Sequence, residues 1–250
     1  MPVIDRSLNY GRSAIAEFVS MATPVASALD VGAGAGLDLD TVRSICPDAR
    51  LFGIEGFIEF TRMLEKKSIE TINIDIESER FPFEDESLDL VLSNQVFEHL
   101  KEIYWTLDNV ARTLKTGGHF ILGVPNLASL HNRLLLSVGR QPTSIGNHSA
   151  HIRGYTRQDI LRLLDAGFPG GFELRGFRGG NFYPLPPTLA KPLAYLLPNM
   201  AVSIFLLFRK SRPYEGSFLR YPVDARLNTH FFVGGEDELW SFDDNQPGEA

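Results

Sequence analysis

A chain of 250 residues, 44% of them hydrophobic, supplies one substantial core and not two independent ones. Lys and Arg number 24 against 31 Asp and Glu, a formal charge of −7, which argues against a nucleic-acid partner because phosphate binding draws on a basic face. The single cysteine, Cys46, rules out an intramolecular disulfide framework and points to a reducing, cytoplasmic setting.

The N-terminal stretch MPVIDRSLNYGRSAIAEF lacks the continuous apolar core of a leader. Residues 28–31 (ALDV) read as a short buried strand, followed by helical spacing through Leu39, Val42 and Ile45. LFGIE at 51–55 is a second strand. FIEFTRMLEKK at 57–67 is a helix carrying Phe57, Phe60, Met63 and Leu64 on one face. TINID (71–75) is a third strand, the polar IESERFPFEDES a loop, and LDLVLSN (88–94) a buried fourth strand. A helix over 104–115 is expected to stop at Gly117-Gly118, ahead of a fifth strand, HFILGVP at 119–125.

LASLHNRLLLSVG (127–139) has helical spacing, and YTRQDILRLLDAGF (155–168) is a helix capped by Thr156, with Asp159 three residues on. FELRGFR (172–178) and MAVSIFLLFRK (200–210) supply candidates for two last strands. Between them, the Pro-rich NFYPLPPTLAKPLAYLLPN reads as a lid over a pocket. The apolar region 185–208 contains four prolines and Lys191, which makes it poor material for a spanning helix. In the tail, LNTHFF sets His230 among strand-like residues, and the terminal DDNQPGEA is expected to fray.

Strand–helix alternation at this spacing predicts an α/β fold: a Rossmann-like sandwich whose mostly parallel seven-stranded sheet carries helices on both faces. Ligands in such sheets bind at the carboxyl ends of the strands. The expected division is one domain over 1–210, with a cofactor-binding half at 27–126 and acceptor-side elements and a lid at 127–210. Residues 211–250 form a C-terminal extension.

Gly32, Gly34 and Gly36 follow the first strand as G-x-G-x-G, one residue short of the dinucleotide spacing G-x-G-x-x-G. Bare glycine backbone beside Asp30, Asp38 and Asp40 suits a cationic ligand and repels a pyrophosphate. S-adenosyl-L-methionine, a sulfonium with an α-amino group, is such a ligand. Glu55, with Gly56 beside it, is placed to accept from both ribose hydroxyls. Asp75 can accept from an adenine amino group and the Ile76 backbone can serve the ring.

Residues 28–126 resemble the class I S-adenosylmethionine-dependent methyltransferases through LDVGAGAG, GIE, NIDIE, FPFEDESLDLVLSNQVFEHL and LKTGGHFILGVPN. The resemblance implies that Asp30 and the three glycines hold the methionine portion, Glu55 the ribose and Asp75 the adenine. Asn94 and Gln95 would line the pocket below the methyl group. S-adenosyl-L-homocysteine would be the product. Residues 118–160, through GVPNLASLHNRLLLSVGRQPTSIGNHSAHIRGYT, are further similar to methyltransferases related to the MetW-type proteins and to enzymes encoded with cell-envelope glycan genes. That implies a small-molecule or glycan acceptor and O-methylation.

Methyl transfer from a sulfonium asks for proximity, in-line orientation and, for a hydroxyl acceptor, a base. Glu98 and His99 follow the fourth strand, while His148, His151 and Arg153 precede a helix near the same rim. His99 or His151 is the expected base, with Glu98 beside it; a helix cap and a loop residue are the bland alternatives. In small-RNA 2′-O-methyltransferases and some quinone-pathway O-methyltransferases, E-x-x-E-H in this place binds a divalent metal. Here the pattern starts with Gln95, one carboxylate short, so no obligatory metal is expected. Asn126, Asn132 and Arg133 could bind a polar or anionic acceptor, or Asn126 could simply close a turn. Residues 182–197 fit a substrate lid, a peripheral contact with membrane or a lipid-linked acceptor, a homodimer interface or core packing. Alternative readings are a silent S-adenosylmethionine- or product-binding protein of the same fold and an NAD(P)-dependent oxidoreductase.

Overall fold

A computed structural model describes residues 6–234. The expected tail at 243–250 lies outside the described residues.

The seven expected strands all form: β1 (Ser27–Val31), β2 (Arg50–Ile54), β3 (Glu70–Ile72), β4 (Leu88–Asn94), β5 (Leu114–Pro125), β6 (Phe172–Gly180) and β7 (Ser203–Lys210). They make one sheet in the order β3-β2-β1-β4-β5-β7-β6. The pairings from β3 through β5 are parallel, and β7 runs antiparallel to both β5 and β6. The chain reverses direction across the sheet between β1 and β4, which opens a crevice at their carboxyl ends.

The near-continuous apolar runs of β1, β4, β5 and β7 exist because both faces are covered. Within each run, alternate residues feed opposite cores. Leu29, Val91, Phe120, Leu206 and Phe208 face α4 (Ile103–Thr113), α6 (Arg157–Gly167) and α8 (Ser217–Asp224). Ala28, Leu90, Leu92, Ile121, Phe205 and Leu207 face α1 (Arg12–Ala22), α2 (Leu37–Ile45) and α3 (Ile58–Lys66). Two further helices, α5 (Leu130–Ser137) and α7 (Pro187–Leu196), stand at the edge where β5 ends.

Several expectations need correction. β3 stops at Ile72, so Asp75 lies beyond the strand, in a turn. On α3, only Leu64 of the expected apolar face is buried; Phe57, Phe60 and Met63 are exposed, because a three-residue edge strand gives the helix little surface to cover. α4 ends at Thr113 and β5 begins at once. Gly117 and Gly118 sit within β5, where its register with β4 slips between Leu88 and Leu90. Gly117 has φ 90° there, so the glycine pair serves a bulge and not a helix stop. His230 lies in a non-helical, non-strand segment, with Phe231 buried against Tyr104 and the Phe232 N–H donating to Glu102. The Thr156 cap forms as expected, accepting from the Asp159 N–H.

Candidate active site

The turn after β1 brings the glycines, Asp30 and Glu55 together, and each glycine carries a different load. Gly32 and Gly36 take left-handed backbone, and a Cβ on them would fall 2.5 Å from Val96 and 2.6 Å from Leu64. Those two positions keep their neighbours packed. Gly34, at φ 52°, faces open space, as does Gly56. The Gly34 N–H donates to Glu55 Oε2 at 2.8 Å, and the Phe57 N–H to Oε1 at 2.8 Å. A buried carboxylate thus clamps the turn after β1 to the start of α3, with a second lone pair on each oxygen still able to accept.

The acids beside this turn are not all available charge. Asp38 pairs with Arg12 from α1 and accepts from Asn94 Nδ2 at 2.8 Å; Asp40 pairs with Lys67. Of the three acids invoked to repel a phosphate, Asp38 and Asp40 are thus paired with cations, and Asp30 makes no ion pair among the described residues. Asp30 is 2% exposed, and its Oδ1 has no hydrogen-bond partner among the described residues. Burial above all, then Asp38, raises its pKa well above the usual range, with Glu55 adding to the rise and Arg12 opposing it. An orphaned buried carboxylate oxygen at this turn fits a cationic group docking against it.

Asp75 is exposed, and both its oxygens cap its own turn, from the Glu77 N–H at 3.0 Å and the Ser78 hydroxyl at 2.7 Å. Its N–H donates to Glu79 Oε1 at 2.7 Å. The Ile76 carbonyl accepts from Thr106 Oγ1. Any contact these two make with a nucleoside therefore competes with, or adds to, a capping role. Gln95 has φ 61° and a buried Nε2 without a partner among the described residues, as does Asn94 Oδ1.

Beyond Gln95, the single turn Phe97–His99 carries Glu98 and His99. The loop holding His151 is bound back onto this turn. Ile152 and Arg153 N–H groups donate to the Glu98 carbonyl at 2.8 and 3.2 Å, Arg153 Nε donates to the Leu100 carbonyl at 2.8 Å, and the Tyr155 hydroxyl donates to the Phe97 carbonyl at 3.1 Å. The two imidazoles meet edge to face at 4.8 Å. His99 Nδ1 lies 3.2 Å from the Ala150 carbonyl and His151 Nδ1 3.0 Å from the Ser144 carbonyl. A carbonyl only accepts, so each Nδ1 carries the proton and each Nε2 presents a lone pair when neutral. His99 Nε2 is 3.9 Å from Glu98 Oε1, and one donor atom from each of Glu98, His99 and His151 lies within 4.8 Å of the others. Glu98 is 1% exposed, its Oε2 has no hydrogen-bond partner among the described residues, and burial pushes its pKa up to about 8. Burial, aided by His151, lowers that of His99 against the pull of the Ala150 carbonyl.

The family profile described as "Methyltransferase domain" matches residues 29–122, which span β1 to the middle of β5 and hold the turn, Asp30, Glu55, Glu98 and His99. Over these residues the chain is similar to methyltransferase domains. A 37.1 kDa protein of transposon Tn4556 from Streptomyces fradiae, of uncharacterised function, is 30% identical over 153 residues. That match takes in 59% of this chain and 44% of the relative, so the chain spans under half of the curated relative's length. A methyltransferase from Archaeoglobus fulgidus superposes with TM-score 0.58 at 12% identity over 81% of this chain and 94% of that one. The complex between the Haloferax volcanii Trm112 methyltransferase activator and a methyltransferase gives 0.57 at 17% identity, over 84% and 93%. Geranyl diphosphate C-methyltransferase from Streptomyces coelicolor, solved with Mg²⁺, geranyl diphosphate and S-adenosyl-L-homocysteine, gives 0.51 at 12% over 79% and 80%. At such identities these likenesses establish the fold.

The candidate site also includes residues that sequence reading passes over. Arg12 and Tyr10 reach the turn from the N-terminal segment, Arg12 through Asp38 and the Tyr10 carbonyl through Asn94 Nδ2 at 3.1 Å. Their only signal is the helical spacing of Ala14, Ile15, Phe18 and Val19 behind them. Asn126 and Asn132, considered as acceptor ligands, are buried structural groups. Asn126 Nδ2 donates to the Asn199 and Ala201 carbonyls, and Asn132 Nδ2 to the Asn126 carbonyl and Ser144 Oγ. In α7, Ala190 and Ala194 pack inward while Leu189, Tyr195 and Leu196 stay exposed, so core packing does not account for those three.

Proposed function

We propose that this chain is an active S-adenosylmethionine-dependent methyltransferase that methylates a hydroxyl oxygen of a small-molecule or glycan acceptor. The observation that carries this reading is the pair of imidazoles beyond the Asn94–Gln95 end of β4, each held by a backbone carbonyl in the tautomer with Nε2 as acceptor. Asp30, the Gly34 backbone, Glu55 and Gly56 would hold the donor: their orphaned oxygen, bare backbone and spare lone pairs fit its cationic and hydroxyl groups. Asp75, Ile76, Asn94 and Gln95 would complete its contacts. When bound, the donor supplies a sulfonium-activated methyl group and a leaving group that departs uncharged. Nε2 of His99 or His151 takes the proton of the acceptor hydroxyl, its partner ring and Glu98 fix the orientation, and the bonded loop 144–155 holds the pair in place.

A second reading is favoured by one feature, the buried Glu98 Oε2, which has no hydrogen-bond partner among the described residues. Glu98, His99 and His151 offer one carboxylate and two imidazole nitrogens, a donor set suited to a transition-metal ion or Zn²⁺ more than to Mg²⁺. Such an ion would polarise the acceptor oxygen in place of a histidine base.

The deciding experiment incubates the chain with methyl-labelled donor and cell extract, with and without EDTA. Label transfer that survives EDTA supports the histidine base. Loss restored by a divalent ion supports the metal. Tight donor binding with no transfer to any extract would mark a silent binding protein and overturn the proposal.

A further inference from the structure

We infer that the edge of the sheet where β5 ends is a docking face for an anionic lipid bilayer. Pro125, Ser203 and Gly180 lie side by side across β5, β7 and β6. α5, which follows β5, and α7, which joins β6 to β7, therefore leave the sheet at one edge. They are tied there by the His131 and Tyr183 rings, 5.9 Å apart, and by Asn126 Nδ2 on the Asn199 and Ala201 carbonyls. This edge is also the one that carries the turn after β1 and the paired histidines.

Two features of these elements point to the bilayer. Leu134, Leu136 and Val138 at the end of α5, and Leu189, Leu196 and Leu197 on and after α7, are 45–70% exposed, an apolar surface that water alone does not favour. The charge that these chain segments themselves carry is one-sided. In a chain of net charge −7, residues 126–158 and 174–214 contain no Asp or Glu. Arg133, Arg140 and Lys191 are exposed there and take part in none of the ion pairs among the described residues. Leucines and uncompensated cations together match an anionic interface, where the aliphatic groups enter and the cations meet the headgroups. A second copy is a poorer fit, since two such faces would bring like charges together. No helix among the described residues is long and apolar enough to cross a membrane, so the contact is peripheral.

The test is co-sedimentation of the full chain with phosphatidylcholine vesicles, with and without phosphatidylglycerol, and it needs no methyl donor. Binding is expected only with phosphatidylglycerol and is expected to weaken at high salt. Arg140→Gln and Lys191→Gln should each lower the partition coefficient roughly fivefold. Leu136→Gln with Leu196→Gln should lower it about tenfold or more. Arg175→Gln with Arg209→Gln, at the other end of β6 and β7, should leave it unchanged. These side chains are exposed, and unchanged melting temperatures will show that the variants fold. No binding, equal binding to neutral vesicles, or a dimer in light scattering that the Leu136 and Leu196 changes dissolve would each overturn the inference.

Discussion

Gly34 and Gly36 stand two positions apart in the same turn and answer to different constraints. Gly36→Ala would drive a methyl into Leu64 while forcing an L-residue to φ 74°. A loss of roughly 2–4 kcal/mol is expected in urea titration, strain and overpacking combined. Gly34→Ala meets no atom within 4 Å, so only the strain of about 1 kcal/mol applies. Its effect should appear in calorimetry as weakened donor binding, because the methyl enters the space that the turn leaves open. Equal destabilisation by both changes would show that the turn is pure packing. At the other end of the site, His99→Ala should lower kcat by about a hundredfold or more while leaving the donor Kd unchanged. The residue types of this site were legible in the sequence, since G-x-G-x-G, Glu55 and the Glu98-His99 pair lie in recognisable places along the alternation. Their partners were not. Nothing local marks Arg12 as the cation on Asp38, because α1 meets the turn only in the folded sheet, and the Ser144 carbonyl sets the His151 tautomer only through the way an irregular loop folds back on itself.

The seven strands and five of the eight α-helices among the described residues follow from apolar period and turn residues, while α1, α7 and α8 were not read as helices. The departures share a cause. α3 has a plausible apolar face by spacing, yet tertiary placement at a short edge of the sheet leaves most of that face to solvent. α1 precedes the alternation and takes its importance from what it covers: Phe18 packs so closely on β6 that a Cβ at Gly176 would lie 2.6 Å from its ring. α8 is similar. Phe218 is fully buried between α6 and the aromatic group of Phe168 and Tyr214, and Gly167 is small because Phe218 lies against it. Phe218→Ala is therefore expected to cost about 3–5 kcal/mol, read as a lowered urea midpoint and melting temperature. A cost near zero would mean that the segment after β7 is a detachable appendage.

At the scale of the molecule, stability should depend on pH through groups far from the site. His119, half-buried near Arg209 and Arg175, has its pKa lowered, first by burial and then by those two cations. The unfolded chain then takes up its proton first, so stability is lost as pH falls through the ordinary histidine value of about 6.5. Glu98 acts in the opposite sense, since its raised pKa makes the folded state the better proton binder between about 4.5 and 8. The His119 contribution is accordingly read as a difference. His119→Gln should flatten the acid side of the wild-type stability curve between pH 7 and pH 5, and parallel curves would refute the assignment. Composition and period alone determined that this chain builds one α/β sheet with its chemistry at the strand ends, because burial on two faces dictates which sequences can fill such a sheet. Only the tertiary structure decided which charges are neutralised, which carboxylate oxygens stay orphaned, and that the loop at His151 closes onto His99. Those outcomes depend on atoms brought within a few ångströms across long stretches of chain, a distance that no local pattern encodes.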